Sequence, residues 1–428
     1  MDLEIKYSGS ETVNLNIPKK LESSVRFLNI NDSVPSITKK DIVSRLRPIV
    51  KSPKTSDMIL VAVSDITRKT GFSQFFPLLL GEWEKKGVKR ENISFIFATG
   101  VHRAPTDSEM EQILGKDIYM AFKGRILINN ASQDSDYRFY GTTNLNTPVF
   151  LNKALDKFDK FFITGTVKFH YFAGFGGGRK TIVPGVASSQ TVAKNHSLSI
   201  DYENYSFSKG VDIGSVAENP VARDMQEAAG MARIDGAVNT IISSDGRIID
   251  LFAGDHDDVF NKGINKAKEV YSVKIEKKAD IVLAVGSGYR NLLQTHKVLY
   301  NAHRVIRQGG YKIIASPCYD GIGSDSYRKW IEIKNIKSLV DTLRIEPDIN
   351  GQTALSTLLK AKNTFILTEL PDRTVELFSM KKTPSIQDTM DSIIKKLENQ
   401  GIDKPLIYVM PQAGETIAFM EKGDLHEK

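Results

Sequence analysis

Two imidazoles, an amine and three consecutive glycines fall in one window of the chain, ITGTVKFHYFAGFGGGRKTIVPGVASSQTVAKNHS, from Ile163 to Ser197. It holds His170, Gly176, Gly177, Gly178, Lys180, a Pro184-Gly185 turn and His196. Backbone N–H groups left open by glycine can cradle an anion, so the loop reads as a phosphate contact, with a plain flexible turn as the alternative. It is a poor P-loop. In G-x-x-x-x-G-K-[ST] begun at Gly174, Arg179 stands where a glycine is required, and Pro184 interrupts the helix that must follow. Lys180 can be a phosphate counter-charge, a covalent attachment point or solvated surface. Attachment needs the neutral amine, which the cationic neighbour Arg179 favours.

Other reactive residues lie outside this window. Asp65-Ile66-Thr67-Arg68 sets a carboxylate three residues before a guanidinium. The pair can be a strand-end ion pair, or Arg68 can grip a substrate carboxylate bidentately while Asp65 orients a neighbour. Gln294 and Lys297, at i and i+3 on a helix, make a second clamp or an exposed helix face. His102 follows a strand, and His296 sits beside Lys297. Of seven histidines, any one alone is more simply structural. Three near one sheet edge point to proton transfer or metal ligation. The HExxH spacing of zinc enzymes is absent, so a zinc site would need scattered histidines and carboxylates. Cys318, the sole cysteine, reads as a small buried residue.

These residues have to be positioned by a βα framework. Met58–Val63, Ile93–Ala98 and Phe161–Gly165 are apolar runs of the kind buried on both faces of a parallel sheet. Arg125–Ile128 is a shorter strand. Helices are predicted from Thr38 to Leu46, from Gln74 to Lys86, from Thr106 to Leu114 with a Thr106/Glu109 capping box, and from Asn219 to Met231. Val238–Ile242 and Arg247–Phe252 form a hairpin, Glu4–Tyr7 and Val13–Ile17 another. A long helix spans Val259–Lys278. The second half repeats the rhythm, with strands Ala279–Val285, Tyr311–Ala315, Thr364–Leu367 and Leu406–Val409 and a helix Leu292–Arg307. Strands alternating with helices imply an α/β fold: two three-layer α/β domains with mainly parallel sheets and an interdomain cleft. We place the first, cofactor-binding and catalytic domain at 1–270. The second, at 271–428, closes over the site, with its last residues free to pack back on the first. Ligands of such sheets bind beyond the carboxyl ends of the strands, where Asp65, Arg68, His102 and His170 all fall.

The bulk properties narrow the class. A chain of 428 residues, 41% hydrophobic and 25% charged, is an ordinary globular protein of two domains. Its net charge of +7 is scattered rather than gathered into an aromatic-interleaved stripe, which argues against nucleic acid. A single cysteine and the lack of any apolar run of membrane length imply a cytoplasmic protein with no membrane partner.

Taken in order, DITR (65–68), ATGVHR (98–103), FHYFAGFGGGRKTIVPG (169–185), the NHS around His196, NLLQTHKVL (291–299), YKIIASPCYDGIG and VMPQAGET resemble the lactate racemase family. These are 2-hydroxy-acid racemases and epimerases that use a nickel-pincer nucleotide. The resemblance spans nearly the whole chain. It implies that Lys180 carries the cofactor, a pyridinium-3-thioamide-5-thiocarboxylic acid mononucleotide with nickel, through a thioamide bond. It also implies that His196 is the protein ligand of nickel, that His102 and His170 are the acid/base pair, and that Asp65, Thr67 and the glycine loop (Gly176, Gly177, Gly178) lie against the cofactor. Arg68, Gln294 and Lys297 would hold the substrate. The implied reaction is inversion of C2 of a small 2-hydroxy acid through reversible hydride transfer, with cofactor-synthesis proteins as loading partners. Lys168-Phe169, where relatives often carry a proline beside the histidine, and Thr353, where an aromatic is expected, leave open both lactate and larger 2-hydroxy acids. A metal-dependent hydrolase and a non-catalytic phosphate- or nucleotide-binding protein are the alternatives.

Overall fold

A computed structural model describes residues 1–9, 11–31 and 34–421. The chain divides into two compact units. One, here the Lys180 unit, comprises Asp32–Asp201 and Phe207–Val270. The other, the Lys297 unit, comprises Met1–Asn31, Tyr202–Ser206 and Tyr271–Lys428.

The Lys180 unit is built on a six-stranded sheet in the order Ile248–Gly254, Gly236–Ile242, Lys160–Thr166, Ile59–Ser64, Ile93–Ala98, Ile126–Ile128. All pairings are parallel except the edge hairpin of Gly236–Ile242 with Ile248–Gly254. Successive side chains of a strand point to opposite faces, and each face has its own core. Val61, Val63, Phe95 and Phe97 pack with Phe72, Phe76 and Trp83 of the helix Phe72–Lys85. Leu60, Ala62, Ile96 and Ile163 pack with Val186, Val192 and Met225 on the other side. This is the three-layer α/β arrangement that the apolar runs predict.

The Lys297 unit has a second six-stranded sheet, Lys381–Lys382, Thr364–Leu367, Ile306–Ala315, Ala279–Val285, Ile407–Met410, Val25–Phe27, parallel throughout. Ile281, Leu283, Ile313 and Ile407 meet Ile386, Met390, Ile393 and Leu397 of the helix Ile386–Glu398. Among the described residues no helix is long and apolar enough to cross a membrane.

Capping chemistry fixes several helix starts where the sequence places them. Thr38 with Asp41 and Thr106 with Glu109 both close reciprocal capping boxes. Two of the differences from the sequence reading are caused by partners distant along the chain. The helix expected over Val259–Lys278 runs over His256–Tyr271, and Ser272–Ile275 is instead a strand parallel to Ile417–Met420. A partner that far along the chain leaves no trace in local periodicity. The expected first domain, 1–270, also differs at its start. Val25–Phe27 pairs with Ile407–Met410, and Leu3, Ile5, Leu15 and Leu21 are buried in the core of the Lys297 unit. Ile417–Met420 stays with that unit through its pairing to Ser272–Ile275, and the residues after 421 lie outside the described part.

Removing residues 1–31 should therefore expose one edge of the second sheet and leave the first intact. In hydrogen exchange, the amides of Ile407–Met410 are expected to lose protection while those of Ile59–Ser64 keep it. Equal loss in both strands would contradict this division.

Candidate active site

In the Lys180 sheet, Ile59–Ser64 continues to one side through Ile93–Ala98 and Ile126–Ile128. The chain then returns to the other side of Ile59–Ser64 with Lys160–Thr166. Ile59–Ser64 and Lys160–Thr166 thus flank a topological switch point, where the loops leaving two neighbouring strands part and open a crevice. The loops at this point carry Asp65, Thr67 and Arg68, then His170 and the glycine stretch, with His102 from the next strand.

The first constellation is a carboxylate–imidazole pair. His102 Nδ1 lies 2.6 Å from Asp65 Oδ2. Thr67 donates its N–H and its hydroxyl to Asp65 Oδ1 at 3.0 and 2.5 Å. Asp65 is nearly buried (side chain 8% exposed), whereas His102 is 51% exposed. Burial pushes the Asp65 carboxyl up, but the hydrogen bonds from His102 and Thr67 outweigh it and hold it below its usual value. An ionised carboxylate only accepts, so His102 carries a proton on Nδ1, and in the neutral ring Nε2 is a bare acceptor facing away from Asp65. The loop bearing His102 is tied to the glycine stretch by Gly100 N–H on Gly185 O at 2.9 Å.

The second imidazole has the opposite tautomer. His170 ends the two-residue strand Phe169–His170, paired antiparallel with Gly174–Phe175. Its Nδ1 accepts the backbone N–H groups of Phe172 and Ala173 at 3.4 and 3.2 Å. Nδ1 is therefore the lone-pair nitrogen, and the neutral ring holds its proton on Nε2. Phe172 stands edge-on to His170 and also to His196, with centroids 5.4 and 5.8 Å apart. One phenyl ring thus spaces two of the predicted site histidines.

The glycine loop serves close packing. A Cβ at Gly177 (φ +81°) would meet the backbone of Thr166, and one at Gly178 (φ +51°) the ring of Phe260. Gly176 N–H is bonded to Lys168 O at 2.7 Å and Gly178 N–H to Asn239 Oδ1 at 3.1 Å. Two of the three glycine N–H groups expected to cradle a phosphate are thus engaged within the protein. The loop holds Lys180 in a setting where burial, then the charges of Arg68 and Arg179, lower its amine well below the ordinary lysine value. His196 lies in the last turn of the helix Ser189–Ser197 and is buried. Burial, with Lys180 as the next contributor, lowers its imidazole to about 3. A neutral imidazole is the form that binds a metal. Among the described residues no three His, Cys, Asp or Glu side chains gather as a metal cage. A metal held by His196 would take its remaining donors from another group.

Gln294 and Lys297 belong to the Lys297 unit. They stand together, exposed, on the helix Leu292–Val305, whose N-cap Asn291 accepts from Gln294 N. His296 is buried, bonded through Nε2 to Ser356 Oγ at 2.9 Å, and lowered to about 3 by burial and then by the charges of Lys360 and Lys297. It is a core histidine. Cys318 is buried as expected, and burial raises its thiol.

Sequence reasoning missed the residues that brace these groups. Asn239 holds the glycine loop, and Asn219 donates to Phe172 O at 2.7 Å while capping the helix Pro220–Gly230. Asn195 reaches Asp224 at 2.8 Å and Val221 O at 3.2 Å, anchoring the turn before His196. The one available signal was Asn239 itself, an amide inside the apolar strand AVNTII, since a buried polar side chain needs a partner.

Fold and site together define a two-unit α/β enzyme with a desolvated lysine, a desolvated imidazole and two imidazoles of opposite tautomer. Residues 8–207 match the family model of the lactate racemase N-terminal domain, and residues 274–414 that of the lactate racemase C-terminal domain. The lactate racemase of Thermoanaerobacterium thermosaccharolyticum is 30% identical over 344 residues, 77% of this chain and 78% of that protein. The lactate racemase of Lactiplantibacillus plantarum is 29% identical over 287 residues, 66% of each. In fold, the chain superposes on the structure of the T. thermosaccharolyticum lactate racemase apoprotein with a TM-score of 0.83 at 24% identity, covering 98% and 100% of the two chains. A Thermotoga maritima protein gives 0.67 at 20% identity, over 90% of this chain and 99% of that one. The chain belongs to the lactate racemase family and is an isomerase.

The Asp65–His102 pair has a pH signature. A carboxyl whose pKa is depressed by folding stabilises the native state above its unfolded value of about 3.9, and the contribution is lost as pH falls through the folded value. Asp65→Asn is expected to cost about 1–3 kcal/mol at pH 7, with the gap to wild type narrowing as pH falls below about 4. Urea titrations at pH 7 and pH 3 measure it. A gap that stays constant would show that the carboxylate charge is not what holds the pair.

Proposed function

We propose that the chain inverts C2 of a small 2-hydroxy acid, lactate or a related acid, with a nickel-pincer nucleotide held covalently by Lys180 and His196 as the protein ligand of nickel. When bound, that group supplies the reversible hydride acceptor at C2. The observation carrying this reading is the opposite tautomers of His102 and His170. The substrate class is supported by the two relatives, both named as lactate racemases.

Racemisation needs a proton acceptor on one side of the substrate and a donor on the other, with roles exchanged in the reverse direction. His102, with Nδ1–H on the Asp65 carboxylate, offers a bare Nε2 to take the hydroxyl proton, and Asp65 balances the imidazolium that forms. His170, with Nδ1 on two backbone N–H groups, presents Nε2–H to the substrate oxygen from the other side as a hydrogen-bond donor; it returns a proton only from the imidazolium, protonated on Nδ1 as well, and is left as the neutral ring. Arg68 binds the substrate carboxylate, and the resemblance implies Gln294 and Lys297 as further substrate contacts. Thr67 has both donors on Asp65, which favours a positioning role over the cofactor contact implied by the resemblance.

The residues fit the cofactor. A lysine amine lowered well below its ordinary value by burial and neighbouring cations gives up its proton more readily and is the better nucleophile for it. Imidazole together with soft sulfur suits Ni(II). Gly176, Gly177 and Gly178 shape the loop on which Lys180 rides. The rival readings fit less well. A hydrolase with an all-protein metal site lacks its ligand cluster among the described residues. A phosphate-binding module would need the N–H groups that Gly176 and Gly178 already use. Cofactor-synthesis proteins are the implied loading partners, and a single buried thiol fits work in the cytoplasm.

Protein produced with the cofactor-synthesis proteins is expected to show a nucleotide-sized mass adduct with nickel, absent from Lys180→Ala. An adduct persisting in that variant would sink the attachment. His102→Ala and His170→Ala are each expected to keep the adduct and lose roughly 10²–10⁴-fold in racemisation, followed by loss of optical rotation. Full activity in either variant would remove that histidine from the chemistry.

A further inference from the structure

Arg179 is fully buried, yet among the described residues its Nε and Nη1 have no hydrogen-bond partner, and the charge of Asp257 only partly offsets the cost of its burial. Its guanidinium lies over the ring of Phe260 at 4.5 Å, and Nη2 donates to Ala173 O at 3.1 Å. A buried cation held this way works against stability, so its place calls for another explanation.

The contact it makes supplies one. Phe172 and Ala173 are the two residues whose N–H groups bind His170 Nδ1. The carbonyls of the same two residues are each gripped by a buried side chain: Phe172 O by Asn219 Nδ2 at 2.7 Å, and Ala173 O by Arg179 Nη2. The turn that fixes the His170 tautomer is thus itself fixed from behind, by an amide and a guanidinium from two different segments.

We propose that Arg179 and Asn219 are positioning residues that clamp the Phe172-Ala173 turn, and through it hold His170 as the Nε2–H tautomer. This rests on the acid/base reading of His170 only for its catalytic consequence, since the tautomer can be observed without any reaction.

The test is long-range ¹H–¹⁵N NMR of histidine-labelled full-length protein, loaded with cofactor, with the His170 signals assigned by their loss in His170→Gln. Wild type is expected to show Nε2–H at His170. Arg179→Met removes the donor to Ala173. Asn219→Ser removes the donor to Phe172 but keeps an N-capping oxygen, so it serves if the arginine variant fails to fold. Each variant is expected to show mixed His170 tautomers. Each is also expected to lower kcat by about 10- to 100-fold at nearly constant KM, the scale of a small misplacement of a reacting group. Arg179→Lys, which keeps a donor, is expected to recover part of the loss. Arg179→Met should melt no lower than wild type. An unchanged His170 tautomer in both variants would overturn the clamp. A lower melting temperature in Arg179→Met with the tautomer unchanged would likewise overturn it and make Arg179 a strut. The activity of His170→Ala decides the acid/base role separately, so the two ideas can fail independently.

Discussion

The glycine loop lies against the end of the strand Lys160–Thr166 so closely that Gly177 has room for no Cβ beside Thr166, and Gly178 for none beside Phe260. The same loop carries Lys180, half-buried, with its amine under the charges of Arg68 and Arg179 and acting in turn on His196. Two cations disfavour another positive charge there. Charge burial is among the most costly things a fold can do, and here both bases answer it with a lowered proton affinity, the amine well below its ordinary value and the imidazole down to about 3. The same packing that makes the loop unsuitable for a passing triphosphate makes it suitable for nucleophilic and ligating nitrogen.

The two remaining site histidines are differentiated by their partners. A carboxylate behind His102 and two backbone N–H groups behind His170 give rings of the same intrinsic chemistry opposite starting protonation patterns. Hydrogen-bond direction alone assigns them, and it follows from where Asp65 and the Phe172-Ala173 turn are held.

Much of this was legible in the sequence because it is written locally. Ile93–Ala98, Ala279–Val285 and Thr364–Leu367 fall as strands at the bounds their apolar runs indicate, and Thr106 with Glu109 caps its helix. The loops after Ile59–Ser64 and Ile93–Ala98 bring Asp65 and His102 into contact, as a parallel sheet requires. What stayed hidden depends on partners distant in sequence. Val25–Phe27 finds Ile407–Met410, Ser272–Ile275 finds Ile417–Met420, and Asn239 finds Gly178. The glycines misled for a related reason. Three in a row look like open N–H groups, and only the fold reveals that Lys168 and Asn239 fill two of them.

The pairing of Val25–Phe27 with Ile407–Met410 also orders events in time. On a ribosome, domains tend to fold as their residues emerge. The sheet of the Lys180 unit is complete once Gly254 has appeared. The edge strand Val25–Phe27, made much earlier, has no neighbour until Ile407–Met410 is synthesised. Only Ser272–Ile275 depends on a partner made later, Ile417–Met420, so the segment containing Val25–Phe27 is among the last to be covered along that edge. Throughout that wait its apolar residues Leu3, Ile5, Leu15 and Leu21 are exposed to whatever binds nascent hydrophobic chain, while the unit that carries the reactive lysine is already closed.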